Sequence, residues 1–149
     1  MDHMKNMILA AVAAAGSIVT NALGGWDVSL QVLIGCMAAD YLTGWLVAAV
    51  WKRSNKSATG ALDSRAGWKG LCRKAAVFVL VWVAAMLDTA MGVHYVRAAV
   101  CWFFIGNEGL SLLENIGLMG VPFPKFLKNA LEALRDKADE GGEGYDGGR

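Results

Sequence analysis

A chain of 149 residues with 56% hydrophobic and only 18% charged side chains, a net charge of +1 and a mean hydropathy of +0.40 is more apolar than an ordinary soluble domain. Its length allows one domain, and since about 20 helical residues cross the roughly 30 Å hydrocarbon core of a bilayer, membrane spans would use most of it. Little chain is left for an extramembrane catalytic domain, and the near-balanced charge gives no bulk attraction for nucleic acid.

Taken in chain order, the first run, from Met7 to Trp26, has no ionisable residue and is just long enough to span. Lys5 ahead of it and the small residues Ala13, Ala14 and Ala15 imitate a signal peptide, but more membrane sequence follows, so it reads as an uncleaved first span. Val28 to Trp51 carries one charge, Asp40, near its midpoint, and Trp26 and Trp51 bracket it as interfacial tryptophans do. Residues 52–74 then hold Lys52, Arg53, Lys56, Arg65, Lys69, Arg73 and Lys74 against a single acid, Asp63. The positive-inside rule places this loop in the cytoplasm, near anionic headgroups, as a determinant of topology. Its second half, Ser64 to Lys74, has the pattern of a short interfacial helix with Trp68 and Leu71 towards lipid.

Ala75 to Gly92 is a further span with Asp88 towards its far end, and a turn containing His94 follows. Tyr95 to Gly120 is long enough for a fourth span but holds Arg97, Glu108 and Glu114. At about 100° per residue, Arg97, Asn107, Glu108, Ser111, Glu114 and Asn115 share one helix face about 120° wide, opposite Val96, Val100, Phe103, Leu110 and Leu113. Such a helix lines a polar path within an assembly or lies in the interface plane. Pro122 and Pro124 stop it and open an amphipathic helix over residues 124–138, and the glycine-rich remainder, 139–149, has the composition of a disordered tail.

These elements predict an all-α integral membrane protein. It has one membrane domain over residues 1–138, four transmembrane helices (about 7–26, 28–51, 75–93 and 95–120) and both termini in the cytoplasm. The competing topology has three spans, with residues 95–120 on the outer surface.

Asp40 is the costliest residue, because an aspartate at a helix centre disfavours insertion by about 2.5–3.5 kcal/mol. It lies in a four-residue stripe with Cys36, Gly44 and Ala48, small enough for close helix contact, and Thr43 can hydrogen-bond across that contact. Asp40 therefore faces a partner helix or a pore, or is a protonated acid with a structural hydrogen bond. Ala84, Asp88 and Gly92 repeat the spacing, although Asp88 is close enough to its helix end for headgroups and water to solvate it. The candidate pore-lining or helix-packing residues are Asp40, Thr43, Gly44, Asp88, Asn107, Glu108, Ser111, Glu114 and Asn115.

Three scattered cysteines suggest neither a disulfide framework nor a zinc site, and Cys36 and Cys101 read as small apolar fillers. His3 and His94 have no metal-ligand neighbour at helical spacing. There is no hydrolase triad, HExxH, Walker loop or CxxC, so the sequence implies no enzyme, metal or cofactor.

Four motifs occur in order. They are Asp40-Tyr-Leu-Thr-Gly44, the loop from Ser64 to Leu71 ending in Arg73-Lys74, Asn107-Glu108 with Ser111 and Glu114-Asn115, and Gly120-Val-Pro-Phe-Pro124 with Leu127 and Leu131. From about residue 28 to residue 134 this order resembles the phage holins of the toxin-secretion and phage-lysis type. The Ala-rich first run and the tail lie outside the resemblance. It implies a protein that accumulates in the bacterial cytoplasmic membrane, forms homo-oligomers and opens a timed lesion. That lesion would release an endolysin or toxin, a functional partner that it need not contact directly. A small ion channel or transporter subunit is the alternative that would use the same acids.

Overall fold

Backbone polar groups in a lipid-facing apolar run have no water to bond, so such runs fold as helices that satisfy them internally. The computed structural model describes residues 1–140 apart from 55, 57, 58 and 62, and among these every regular element is helical. Helix α1 is Asp2–Ala22, and none of its residues is buried. Helix α2, Val28–Leu46, starts at Asp27, whose carboxylate accepts the Leu30 N–H at 2.9 Å, and ends in a wider π-helical turn, Val47–Trp51. Helix α3, Ser64–Met91, is capped by Asp63, which accepts the Arg65 N–H at 2.9 Å. Helix α4 is Val96–Leu118, and helix α5, Lys125–Glu140, begins directly after Pro124.

Two boundaries differ from expectation. The basic segment 52–74 is loop only as far as Asp63, and Ser64 to Lys74 form the first turns of α3 rather than a separate interfacial helix. Nothing between Lys74 and Ala75 interrupts a helix once Asp63 has started it, and Trp68 and Leu71 are indeed exposed. Residues 139 and 140 close α5, and the rest of the expected disordered tail lies outside the described residues.

Three helical stretches, Val28–Trp51, Ser64–Met91 and Val96–Leu118, are long and apolar enough to cross a membrane. α1 is not among them: Asp2, Lys5 and Asn6 near its start and Thr20 and Asn21 near its end lower the hydropathy of an otherwise apolar run.

α4 is the central element, packed on α2, α3 and α5. Asp27 and Arg97 meet at one end, and Asp40 meets Asn115 towards the other, so α2 and α4 run parallel. α3 is antiparallel to both, with Asp88 beside Val96 and Lys74 beside Glu108. Between these ends Leu30, Leu33, Met37, Val77, Val81, Cys101 and Ile105 form the buried core, to which Cys36 contributes from its edge.

The outer faces of α2 and α3 are also apolar, with Val32, Leu42, Trp45, Leu46 and Val50 exposed on one and Val79, Leu80, Trp82, Val83, Met86 and Leu87 on the other. In water this would be an anomalous patch, whereas it is the surface a bilayer requires. Lipid tails are as apolar as leucine, so burying Leu33 against its neighbours gains packing but little hydrophobic free energy. The polar contacts and the small residues must therefore set which helix faces which.

Gly106 shows this at the α4–α5 contact. A β-carbon there would lie 2.8 Å from Arg135 Cβ, 2.9 Å from Leu131 O and 3.0 Å from the Arg135 N. Two of these are backbone atoms that cannot move aside, so Gly106→Ala should push α5 outward and destabilise its docking by about 1–3 kcal/mol. Trypsin cleavage within α5 would report it as faster release of the C-terminal segment. Gly109→Ala should do less, because the atoms it meets are the flexible end of the Leu131 side chain.

Candidate functional site

The polar side chains buried in the helical bundle form two clusters separated by the apolar core. Asp40 to Asp27 and Glu108 to Arg97 are 13 and 11 residues apart, which at 1.5 Å per residue is roughly 16–20 Å of apolar layer.

The inner cluster is built around Asp40, whose residue is 4% exposed. Lys74 Nζ donates to its Oδ2 at 2.9 Å and also to the Glu108 carboxylate from α4. Lys56, from the loop after α2, approaches Asp40 Oδ1 at 3.3 Å and Ser111 Oγ at 3.5 Å. The Asn115 amide completes the shell, donating to Asp40 Oδ1 at 3.0 Å, to its backbone carbonyl at 3.1 Å and to Thr43 Oγ1 at 3.1 Å. Thr43 in turn donates to the Ala39 carbonyl at 2.7 Å. Gly44 leaves room for this, since a β-carbon there would sit 3.5 Å from Asn115 Nδ2 and 3.6 Å from Lys56 Nζ.

Buried charges are tolerated only when paired and fully hydrogen-bonded. No buried side-chain nitrogen or oxygen among the described residues lacks a partner. Asp40 thus contacts its neighbours in the bundle through two ammonium groups and an amide. Those ammonium groups belong to the basic segment, where Lys56 and Lys74 were read only as topology determinants.

The outer cluster is centred on Arg97, which is also buried. Its guanidinium forms a fork on Asp27, with Nη1 to Oδ2 at 2.6 Å and Nη2 to Oδ1 at 3.2 Å. It also donates to the carbonyls of Leu23 and of Gly25, the latter at 3.1 Å. Gly24 must be glycine on two counts: its φ is +86°, and a β-carbon would lie 2.6 Å from Arg97 Cδ and Nε. The guanidinium hydrogen bond holds the Asp27 carboxyl well below the ordinary carboxylate range, at about 2, against the opposing effect of partial burial.

Asp88 belongs to this cluster too. It accepts the backbone N–H of Val96 at 2.9 Å and of Arg97 at 3.1 Å, satisfying the first free donors of α4. It is therefore a helix cap supplied across a turn, and not the interfacially solvated acid that its position near a helix end suggested.

The six polar residues assigned to one face of α4 consequently separate. Arg97 serves the outer cluster, Glu108, Ser111 and Asn115 join the inner one, and Asn107 and Glu114 are exposed. Asn107, Ser111 and Glu114 line a cavity of about 430 Å³ whose other wall is Lys128, Glu132 and Arg135 of α5.

Apolar outer faces on spanning-length helices, with charges sequestered between them, define a helical membrane protein. The comparisons make the assignment specific. Residues 17–136 match the model of the Bacteriophage holin family, and the chain belongs to that family. A protein of Bacillus phage phi105 named a probable holin is 33% identical over 112 residues, covering 74% of this chain and 77% of the relative. An uncharacterized 14.9 kDa protein of Clostridium perfringens is 34% identical over 139 residues, 92% of this chain and 99% of the relative. An uncharacterized Listeria monocytogenes protein is 32% identical over 144 residues, covering 96% and 97%. No solved structure matches the chain.

Proposed function

We propose that this protein is a holin that assembles with copies of itself in the bacterial cytoplasmic membrane and opens a timed, non-selective lesion through which an endolysin or toxin leaves the cell. The observation that carries the reading is the family match over residues 17–136, which includes both ionic clusters. No catalytic chemistry is required of it. In this reading the basic loop after α2 is cytoplasmic, α4 returns the chain to the cytoplasm, and α1 is a fourth span that places the N-terminus on the same side.

Identical subunits offer a polar face partners in lipid by turning it inward around a ring. Asn107, Ser111 and Glu114 suit that role, since Asn107 and Glu114 are exposed and no described ion pair holds Glu114. Asp40, Thr43, Glu108 and Asn115 are engaged within one subunit and suit a structural role.

Timed expression in a bacterial host, with and without a co-expressed endolysin, tests the reading. The expected result is abrupt loss of viability at a reproducible time, with a cytoplasmic enzyme released only when the endolysin is present. Ion leakage with the endolysin retained inside would overturn it in favour of a small ion channel or transporter subunit.

A further inference from the structure

A second cavity of about 430 Å³ opens where α2 ends and α3 begins. Asp40, Lys74 and Glu108 form its inner end, Tyr41, Trp45 and Ala48 its α2 wall, and Lys69, Gly70 and Arg73 its α3 wall.

Its charges are unevenly committed. Lys74 is consumed by Asp40 and Glu108, Lys56 pairs with Asp40, and Asp63, at the cavity edge, caps α3 through the Arg65 N–H. Lys69 and Arg73 are exposed and have no acidic partner among the described residues. They stand four residues apart on one helix, where like charges repel, and an anion placed between them would relieve that repulsion. Gly67 and Gly70 let the Tyr41 ring lie close to α3, since β-carbons there would sit 3.7 Å from its hydroxyl oxygen and 3.9 Å from its Cε2. The opposite wall is aromatic, and exposed Trp45 and Leu42 carry it onto the lipid-facing side of α2. A basic pocket with an apolar wall at the end of membrane-length helices fits a group that is anionic at one end and apolar at the other.

We propose that this cavity binds the phosphate of an anionic phospholipid headgroup, with Lys69 and Arg73 as its ligands and the Tyr41–Trp45 wall against the glycerol and upper acyl chain. The proposal needs the protein to lie in a membrane but does not need it to form a lesion, so either reading can fail without the other.

The test is native mass spectrometry of the full-length protein in detergent, titrated with phosphatidylglycerol, with phosphatidylcholine and with inorganic phosphate. The wild type is expected to retain phosphatidylglycerol in preference to phosphatidylcholine. A Lys69→Gln/Arg73→Gln double variant should bind it on the order of thirtyfold more weakly, since each of the two cations beside an anionic lipid is worth about 1 kcal/mol. A Lys52→Gln/Arg65→Gln variant removes the same charge outside the cavity lining and, with no anionic bilayer in detergent to act on those two cations, should change binding by less than about threefold. Both pairs are exposed, and circular dichroism should show unchanged helix content. Equal losses in the two double variants would reduce the effect to general surface attraction and overturn the site. Inorganic phosphate binding as well as the lipid would show a soluble anion as the occupant and overturn the lipid assignment, as would no preference between the two lipids.

Discussion

Lys74→Met should destabilise the protein by about 3–5 kcal/mol, the usual consequence of deleting one partner from a buried ion pair. Lys74 bridges Asp40 and Glu108, whose side chains are 6% and 11% exposed, and no other described cation pairs with Glu108. Methionine conserves much of the length but leaves two carboxylates facing each other between α2 and α4, so α3 loses its ionic tie to both at this end of the bundle. The measurement is the denaturation midpoint in mild detergent, together with the yield in the membrane fraction. Adding Glu108→Gln to Lys74→Met should recover most of the loss, because Asp40 keeps Lys56 and Asn115 while the second carboxylate loses its charge. An unchanged midpoint in the single variant would mean that water reaches the cluster and solvates the acids. Failure of the double variant to recover would mean that the lysine matters for packing rather than for charge.

The helix positions and the peculiarity of Asp40 were legible in the sequence, because both rest on local patterns. Long, mainly apolar runs locate α2 and the greater part of α3, the one-sided helical periodicity of its polar residues locates α4, and the four-residue recurrence of small residues around Asp40 points to a helix contact. The counter-ions were not legible, for a reason of distance in the chain. Lys56 is 16 residues and Lys74 34 residues from Asp40, and a basic segment between apolar runs has a sufficient explanation in topology alone. Arg97 was hidden differently, since its angular position on α4 coincides with that of Asn115 while it lies five turns away. Rotation around a helix axis says nothing about height along it, and height assigns Arg97 to Asp27 and Asn115 to Asp40. An arginine in the first turn of α4 and an aspartate capping the parallel helix α2 lie at the same end of the bundle, which is the sequence signal that pairs them. The seat of α5 on Gly106 and Gly109 was equally invisible, because two glycines three residues apart suggest close approach without naming the partner.

Arg97→Gln should loosen two turns at once and cost about 2–3 kcal/mol, the range for losing charge-assisted hydrogen bonds and leaving acceptors unpaired. The guanidinium serves the Leu23 and Gly25 carbonyls and the Asp27 carboxylate together, and a glutamine amide can replace at most part of that set. Hydrogen exchange should accordingly rise around residues 23–27 and at the start of α4, while the inner cluster stays protected. The pH dependence separates the contributions. Asp27 has its folded pKa depressed from 3.8 to about 2, so its share of the stability is complete above the unfolded value and is lost as pH falls through about 2. Because the Asp27 side chain is 49% exposed, solvent screening holds that share to about 1 kcal/mol. The gap between wild type and Arg97→Gln should therefore be widest near neutral pH and narrow below pH 3.8 without closing, since the bonds to the two carbonyls do not titrate. A gap that vanished completely in acid would assign the whole effect to the ion pair and leave the carbonyl contacts with no part in fixing the turn between α1 and α2.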